Sequence, residues 1–117
     1  MNIKSIQAKL EDFANERDWD QYHTPKNLAS ALIVEAGELL EIFQWMTDED
    51  VKSIKDSVRI QQNIKEEIAD VFLYLLRLAD RLDVDIDDAI EMKMKINAQK
   101  YPISLSKGNA TKYNNRD

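Results

Sequence analysis

The sequence predicts an all-α protein, a four-helix bundle-like protomer that assembles into a helical homo-oligomer. Three observations predict it. The 117 residues hold only 2 glycines and 2 prolines, too few for the closely spaced turns of a sandwich or barrel. Apolar residues recur at spacings of three and four along much of the chain. Two helical stretches carry apolar side chains nearly all round, and such helices must be covered on every side. The length is that of one domain, read as 1–117 with about 103–117 as a C-terminal arm. Size scaling lets roughly two thirds of such a chain's surface be buried, in one modest core.

The elements follow in order. Ile3, Ile6, Leu10 and Phe13 make an amphipathic first helix ending near Arg17. An irregular stretch, Asp18 to His23, leads to Thr24-Pro25, a hydroxyl N-cap with proline in the first turn. The second helix runs to about Trp45. Thr47 with Asp48, Glu49 and Asp50 reads as another N-cap, and the polar segment from Val51 to Ile64 is ambiguous in helicity. A third helix spans about Asn63 to Leu82. Asp85 with Asp88 starts a fourth, which ends near Tyr101 because Pro102 cannot continue it. The tail from Ile103 has weak periodicity and reads as an arm docked on a partner subunit. The all-round apolar stretches are Leu28 to Phe43 and Ile68 to Leu76, and they are the basis for expecting an oligomer.

Composition narrows the function. No cysteine excludes disulfides, thiolate metal sites and cysteine nucleophiles, and one histidine excludes a multi-histidine zinc site within the chain. A net charge of −6 repels a nucleic-acid backbone, so no nucleic-acid polymer is expected as partner, whereas a small phosphorylated ligand is compatible if a cation mediates. The start lacks a signal-peptide core and no uncharged apolar run approaches the ~20 residues a bilayer needs, so no membrane partner is expected and the cytoplasm is the expected compartment.

Carboxylates stand where apolar residues should be. Leu28, Leu32, Leu39 and Ile42 form one stripe of the second helix, with Glu35 inside it and Glu38 at its edge. On the third helix Val71, Tyr74 and Leu78 share a face with Glu67, flanked by Asp70. Ionised carboxylates facing an apolar core cost several kcal/mol unpaired and raise one another's pKa. A hard dication such as Mg²⁺, or Mn²⁺ as a substitute, compensates them directly. The competing reading leaves the acids solvated or paired with Arg77, Arg81 or Lys65; two pairs on facing helices favour the metal. A di-iron bundle is disfavoured, because no histidine follows either pair and His23 lies outside the helices. On the fourth helix Lys93 and Lys100 flank a stripe containing Asn97, suiting phosphate oxygens, although solvated lysines pairing with Glu91 or Asp87 would look the same. Trp19, Trp45 and Tyr74 could stack on a base or simply pack in a core. Met92 and Met94 read as core or interface filler.

Taken together, these residues resemble the MazG-like nucleoside triphosphate pyrophosphohydrolases of the all-α superfamily, on the dCTP pyrophosphatase branch. The family's E-x-x-E and E-x-x-D read Glu35-Ala36-Gly37-Glu38 and Glu67-Ile68-Ala69-Asp70 here. The segment Glu16 to His23, with its W-x-Q-[FY]-H block, the stretch Glu38 to Trp45, Lys93-x-x-x-Asn97, and Lys100-Tyr101-Pro102 through Gly108 extend the match over about Phe13 to Tyr113. The resemblance implies hydrolysis of a (deoxy)nucleoside triphosphate at the α–β bond to monophosphate and pyrophosphate, with dCTP among the expected substrates, as house-cleaning of the nucleotide pool. It implies Mg²⁺ on Glu35, Glu38, Glu67 and Asp70. It implies a base and sugar pocket from Trp45 and Tyr74 with Trp19, Gln21 and His23 of the preceding segment, phosphate or sugar contacts from Lys93, Asn97 and Lys100, and a dimer or dimer of dimers. The expected chemistry is metal-assisted cleavage by water. Glu38, at the stripe's edge, is the assigned base, although any of the four acids could serve. One position departs: a histidine that dCTP-cleaving members carry on the first helix is matched here by Leu10, which bears on how strictly cytosine is preferred and not on the chemistry. The alternative is a non-catalytic helical interaction or nucleotide-binding module; a degenerate binder is expected to have lost at least one acid, and all four are present.

Overall fold

A computed structural model describes residues 1–116. The described residues form six α-helices and short 3-10 turns, with no strand. The helices are α1 (Ile3–Glu16), α2 (Pro25–Phe43), α3 (Asp48–Lys52), α4 (Val58–Arg81), α5 (Ile86–Lys100) and α6 (Ile103–Ser106). The all-α expectation holds. The chain divides into two compact units, Met1–Asp83 and Val84–Asp117.

In the first unit α2 lies along α4 as the principal helix pair, and α1 packs on α4. Leu28 of α2, Ala14 of α1, and Leu76 and Ala79 of α4 are buried where these helices meet. Gln7 of α1 is buried with them, and its side-chain amide donates to the Leu76 carbonyl at 2.9 Å, which keeps the buried amide paired.

Local chemistry sets the helix ends. The α1 cap is Asn2, whose side chain accepts from Ser5 N–H at 2.9 Å. At the other end, Trp19 N–H donates to the Ala14 carbonyl (2.8 Å) and Asp18 N–H to that of Asn15 (3.1 Å), with Asp18 at φ 56. That is a Schellman stop with an aspartate in the left-handed position usually taken by glycine. Thr24 caps α2 with Pro25 in its first turn, as expected. Thr47 and Asp50 form a reciprocal capping box on α3. The ambiguous segment becomes α3, a 3-10 turn at Ile54–Asp56, and an α4 beginning five residues before Asn63, where the Ser57 hydroxyl accepts from Ile60 N–H at 3.3 Å.

In the second unit Asp85 caps α5, accepting from Asp88 N–H at 3.1 Å. The tail folds back on the end of α5. Tyr113 packs edge-on against Tyr101 with ring centres 6.0 Å apart, the Lys100 ammonium lies 4.7 Å from the Tyr113 ring centre, and Arg116 donates to the Lys100 carbonyl at 2.7 Å. No described helix is long and apolar enough to cross a membrane.

Candidate metal centre and aromatic cleft

The α2–α4 pairing brings the acidic motifs together. Glu35, Glu38 and Glu67 each offer a carboxylate oxygen within 4.8 Å of the other two. Glu35 and Glu67 are half-buried and Glu38 is exposed. The Oε2 atoms of Glu35 and Glu67 are buried without a hydrogen-bond partner among the described residues. Their neighbours explain the electrostatics. Burial first, then the crowding of Glu38 and Glu67 and the charge of Asp70, push Glu35 up to about 7. Burial and the carboxylates of Glu38 and Asp70 also raise Glu67, and burial with Glu35, Asp70 and Glu38 raises the Tyr74 phenol. Among the described residues none of these acids pairs with Arg77, Arg81 or Lys65; both arginines are engaged with Asp20.

Asp70 is one turn further along α4. It stands outside the cluster of three and lines the adjoining cleft of about 480 Å³, together with Ile6, Leu10 and Phe13 of α1, Trp19, His23, and Tyr74 of α4. Trp19 meets Phe13 edge-on at 5.9 Å between ring centres and tilts against His23 at 6.4 Å. The wall is apolar and aromatic, with charged or polar groups at a few points, which is the usual make-up of a small-molecule site.

His23 is held by two arginines, of which Arg77 also lines the cleft. Arg77 Nε donates to His23 Nδ1 (3.3 Å) and its Nη2 to Asp20 Oδ1 (3.1 Å). Arg81 donates to Asp20 Oδ1 (2.7 Å) and to the His23 carbonyl (3.0 Å). Burial and the two guanidinium charges lower the His23 pKa, against the opposing pull of Asp20.

Of the residues singled out from the sequence, the structure therefore gathers Glu35, Glu38 and Glu67 in one cluster and Asp70, Tyr74, Trp19 and His23 around one cleft. Gln21 does not line the cleft; its amide donates to the Asp18 carbonyl at 3.1 Å. Trp45, just past α2, is 87% exposed and is also outside the cleft wall. Lys93, Asn97 and Lys100 lie on α5 of the second unit. Leu10, the departing position, is in the cleft wall. Sequence reasoning did not show that Lys9 lines the cleft, that Asp20, Arg77 and Arg81 form a network, or that Ile6 and Phe13 belong to the cleft wall. The available signal was an arginine pair at i, i+4 on α4, one turn past the cleft-lining Tyr74.

A profile of the MazG-like family matches residues 31–115, and the chain belongs to that family. It is 43% identical over 111 residues to dCTP pyrophosphatase 1 of Bos taurus, covering 95% of this chain and 66% of that protein. Against dCTP pyrophosphatase 1 of Homo sapiens the identity is 42%, covering 95% of this chain and 65% of that protein. The chain thus spans about two thirds of the length of the curated relatives it matches. Among solved structures it is similar to a pyrophosphatase from Archaeoglobus fulgidus, with a TM-score of 0.77 and 42% identity over 85% of this chain and 91% of that one. The resemblance to the dCTP pyrophosphatase branch is borne out by these matches.

Proposed function

We propose that the protein is a divalent-metal-dependent nucleoside triphosphate pyrophosphohydrolase. It cleaves the α–β bond of (deoxy)nucleoside triphosphates, with dCTP among its substrates, to yield monophosphate and pyrophosphate for nucleotide-pool house-cleaning in the cytoplasm. The observation that carries this reading is the pair of buried, unpartnered Oε2 atoms in a three-carboxylate cluster beside an aromatic cleft. Carboxylate oxygens crowded in this way, once ionised, fit a hard dication, Mg²⁺ or Mn²⁺, and fit no thiolate- or imidazole-loving metal. Glu35, Glu38 and Glu67, with Asp70 from the next turn of α4, would hold it. The chemistry supplied there by a bound ion would be neutralisation of phosphate charge and activation of water near neutral pH.

The chain's own groups supply the rest. Trp19, Tyr74 and His23 line a cleft in which a base can stack. Glu38, the exposed member of the cluster, is the acid open to solvent and is assigned as the base that takes the proton from water. The side chains of Lys93, Asn97 and Lys100 have the chemistry that phosphate and sugar oxygens require.

The test is an assay of dCTP, dATP, dTTP, dUTP and the ribonucleotides with and without Mg²⁺. Pyrophosphate and monophosphate are the expected products, and chelation abolishes turnover. Glu38→Gln or Asp70→Asn remains folded with activity down by orders of magnitude. Orthophosphate as product, or wild-type rates in either variant, overturns the reading.

A further inference from the structure

Arg77 is only 3% exposed, yet its guanidinium is not spent on the acidic cluster. It lines the cleft and donates to a ring in the same wall. A guanidinium donates and never accepts, so the bond from Arg77 Nε to His23 Nδ1 obliges Nδ1 to carry a lone pair and puts the neutral ring's proton on Nε2. The clamp is braced: Asp20 accepts from both Arg77 and Arg81, and Arg81 also fixes the His23 carbonyl. Nε2, the remaining ring nitrogen, has no partner among the described residues, and the ring lines the cleft beside Trp19 and Tyr74.

We propose that Arg77 is a positioning residue for nucleobase recognition. It holds His23 as the Nε2–H tautomer, so that the aromatic cleft offers one fixed hydrogen-bond donor and selects bases by an acceptor atom on their ring edge. This rests on the nucleotide reading above. A freely titrating or tautomerising histidine would present donor and acceptor alternately and would discriminate poorly between edges that differ in that respect. A clamped one leaves its donor with nothing to bond when the wrong edge enters, and unpaired polar groups are the strongest basis of rejection in such sites.

His23 is the only histidine in the chain, so a long-range ¹H–¹⁵N spectrum of the labelled full-length protein reads its tautomer directly. At neutral pH the expected result is a protonated Nε2 and a bare Nδ1. A proton on Nδ1, or averaging of two tautomers, overturns the clamp. Adding dCMP, dTMP or dAMP without metal is expected to shift the Nε2 signal for at least one base; no shift with any of them overturns the recognition role, whether or not the enzyme turns over triphosphates. Arg77→Lys keeps the charge but has no Nε–H, and Arg77→Met fills the space without charge; both leave Asp20 paired with Arg81 at 2.7 Å. In whichever of them folds, tautomer averaging and a loss of base discrimination of about tenfold, carried in KM more than in kcat, are expected. An unchanged tautomer or unchanged discrimination overturns the proposal. Absence of pyrophosphate release in the wild type, with the clamp and the monophosphate shifts intact, instead overturns only the hydrolase reading.

Discussion

Glu35 faces two competing demands. Its position in the α2 stripe takes one of its oxygens out of water, and its carboxylate neighbours deny it a counter-charge, so in the metal-free chain it keeps its proton up to about pH 7 instead of the ordinary 4.5. The folded state therefore binds this proton more tightly than the unfolded chain does. The stability it contributes is complete below about pH 4.5 and is lost as pH rises through about 7. Urea denaturation of the chelated protein should accordingly give a midpoint that declines over that interval, and Glu35→Gln should flatten the decline. A dication held by the cluster would take the proton's place, so Mg²⁺ should raise the midpoint most above pH 7 and release protons on binding; a midpoint indifferent to Mg²⁺ at pH 8 would count against the metal centre. Glu35 and Glu67 could be picked out of the sequence because an acid at the register of a leucine is a visible conflict between helix periodicity and charge. Asp20 with Arg77 could not. Their bond spans 57 residues, and nothing local to either side chain encodes it.

At the level of the element, the caps decide where the site-bearing helices begin and end. Thr24-Pro25, Thr47 and Asp85 could be read because hydroxyl and carboxylate caps sit directly before periodic runs. Ser57 was missed because the first turns of α4, Val58 to Asn63, are too polar to show a stripe, although its cap bond is of the ordinary kind. Ser57→Ala should cost about 1 kcal/mol in urea unfolding while leaving the hydrolytic rate unchanged, since the cap lies well before Glu67. The α1 stop makes the opposite prediction. Asp18 holds φ 56 without being a glycine, and the Schellman bonds around it run through the backbone alone. Asp18→Gly should therefore stabilise the fold by roughly 0.5–1 kcal/mol, the relief of left-handed strain being offset in part by the freer unfolded chain. A loss of stability would mean that the long Gln21–Asp18 side-chain contact, at 3.4 Å, contributes more than its geometry suggests.

For the whole molecule, the apolar surplus seen in the sequence persists after folding. On α2, Ile33 is 70% exposed and Leu40 67%, and the two share a stripe with Gly37 between them. On α4, Ile68, Phe72 and Leu75 form a second stripe and are 53%, 36% and 40% exposed. Beyond its own helical turn, no described residue comes within 4 Å of where a side chain at Gly37 would begin, so packing inside one protomer gives no reason for a glycine in mid-helix, where it costs about 1 kcal/mol relative to alanine. Close approach of another helix would supply that reason. A second copy of the chain would account for both stripes, because two long amphipathic helices with an outward apolar face can be self-complementary across a two-fold axis. We therefore expect sedimentation equilibrium at micromolar concentration to give a multiple of 13.6 kDa. Ile33→Glu or Leu40→Glu, which puts a charge into the seam where it cannot be solvated, should shift the mass to that of one chain and lower the unfolding midpoint together. A wild-type mass of one chain would mean that these stripes stay in water. The all-round hydrophobicity of Leu28 to Phe43, legible in the sequence from its periodicity, would then need a cover other than a second copy.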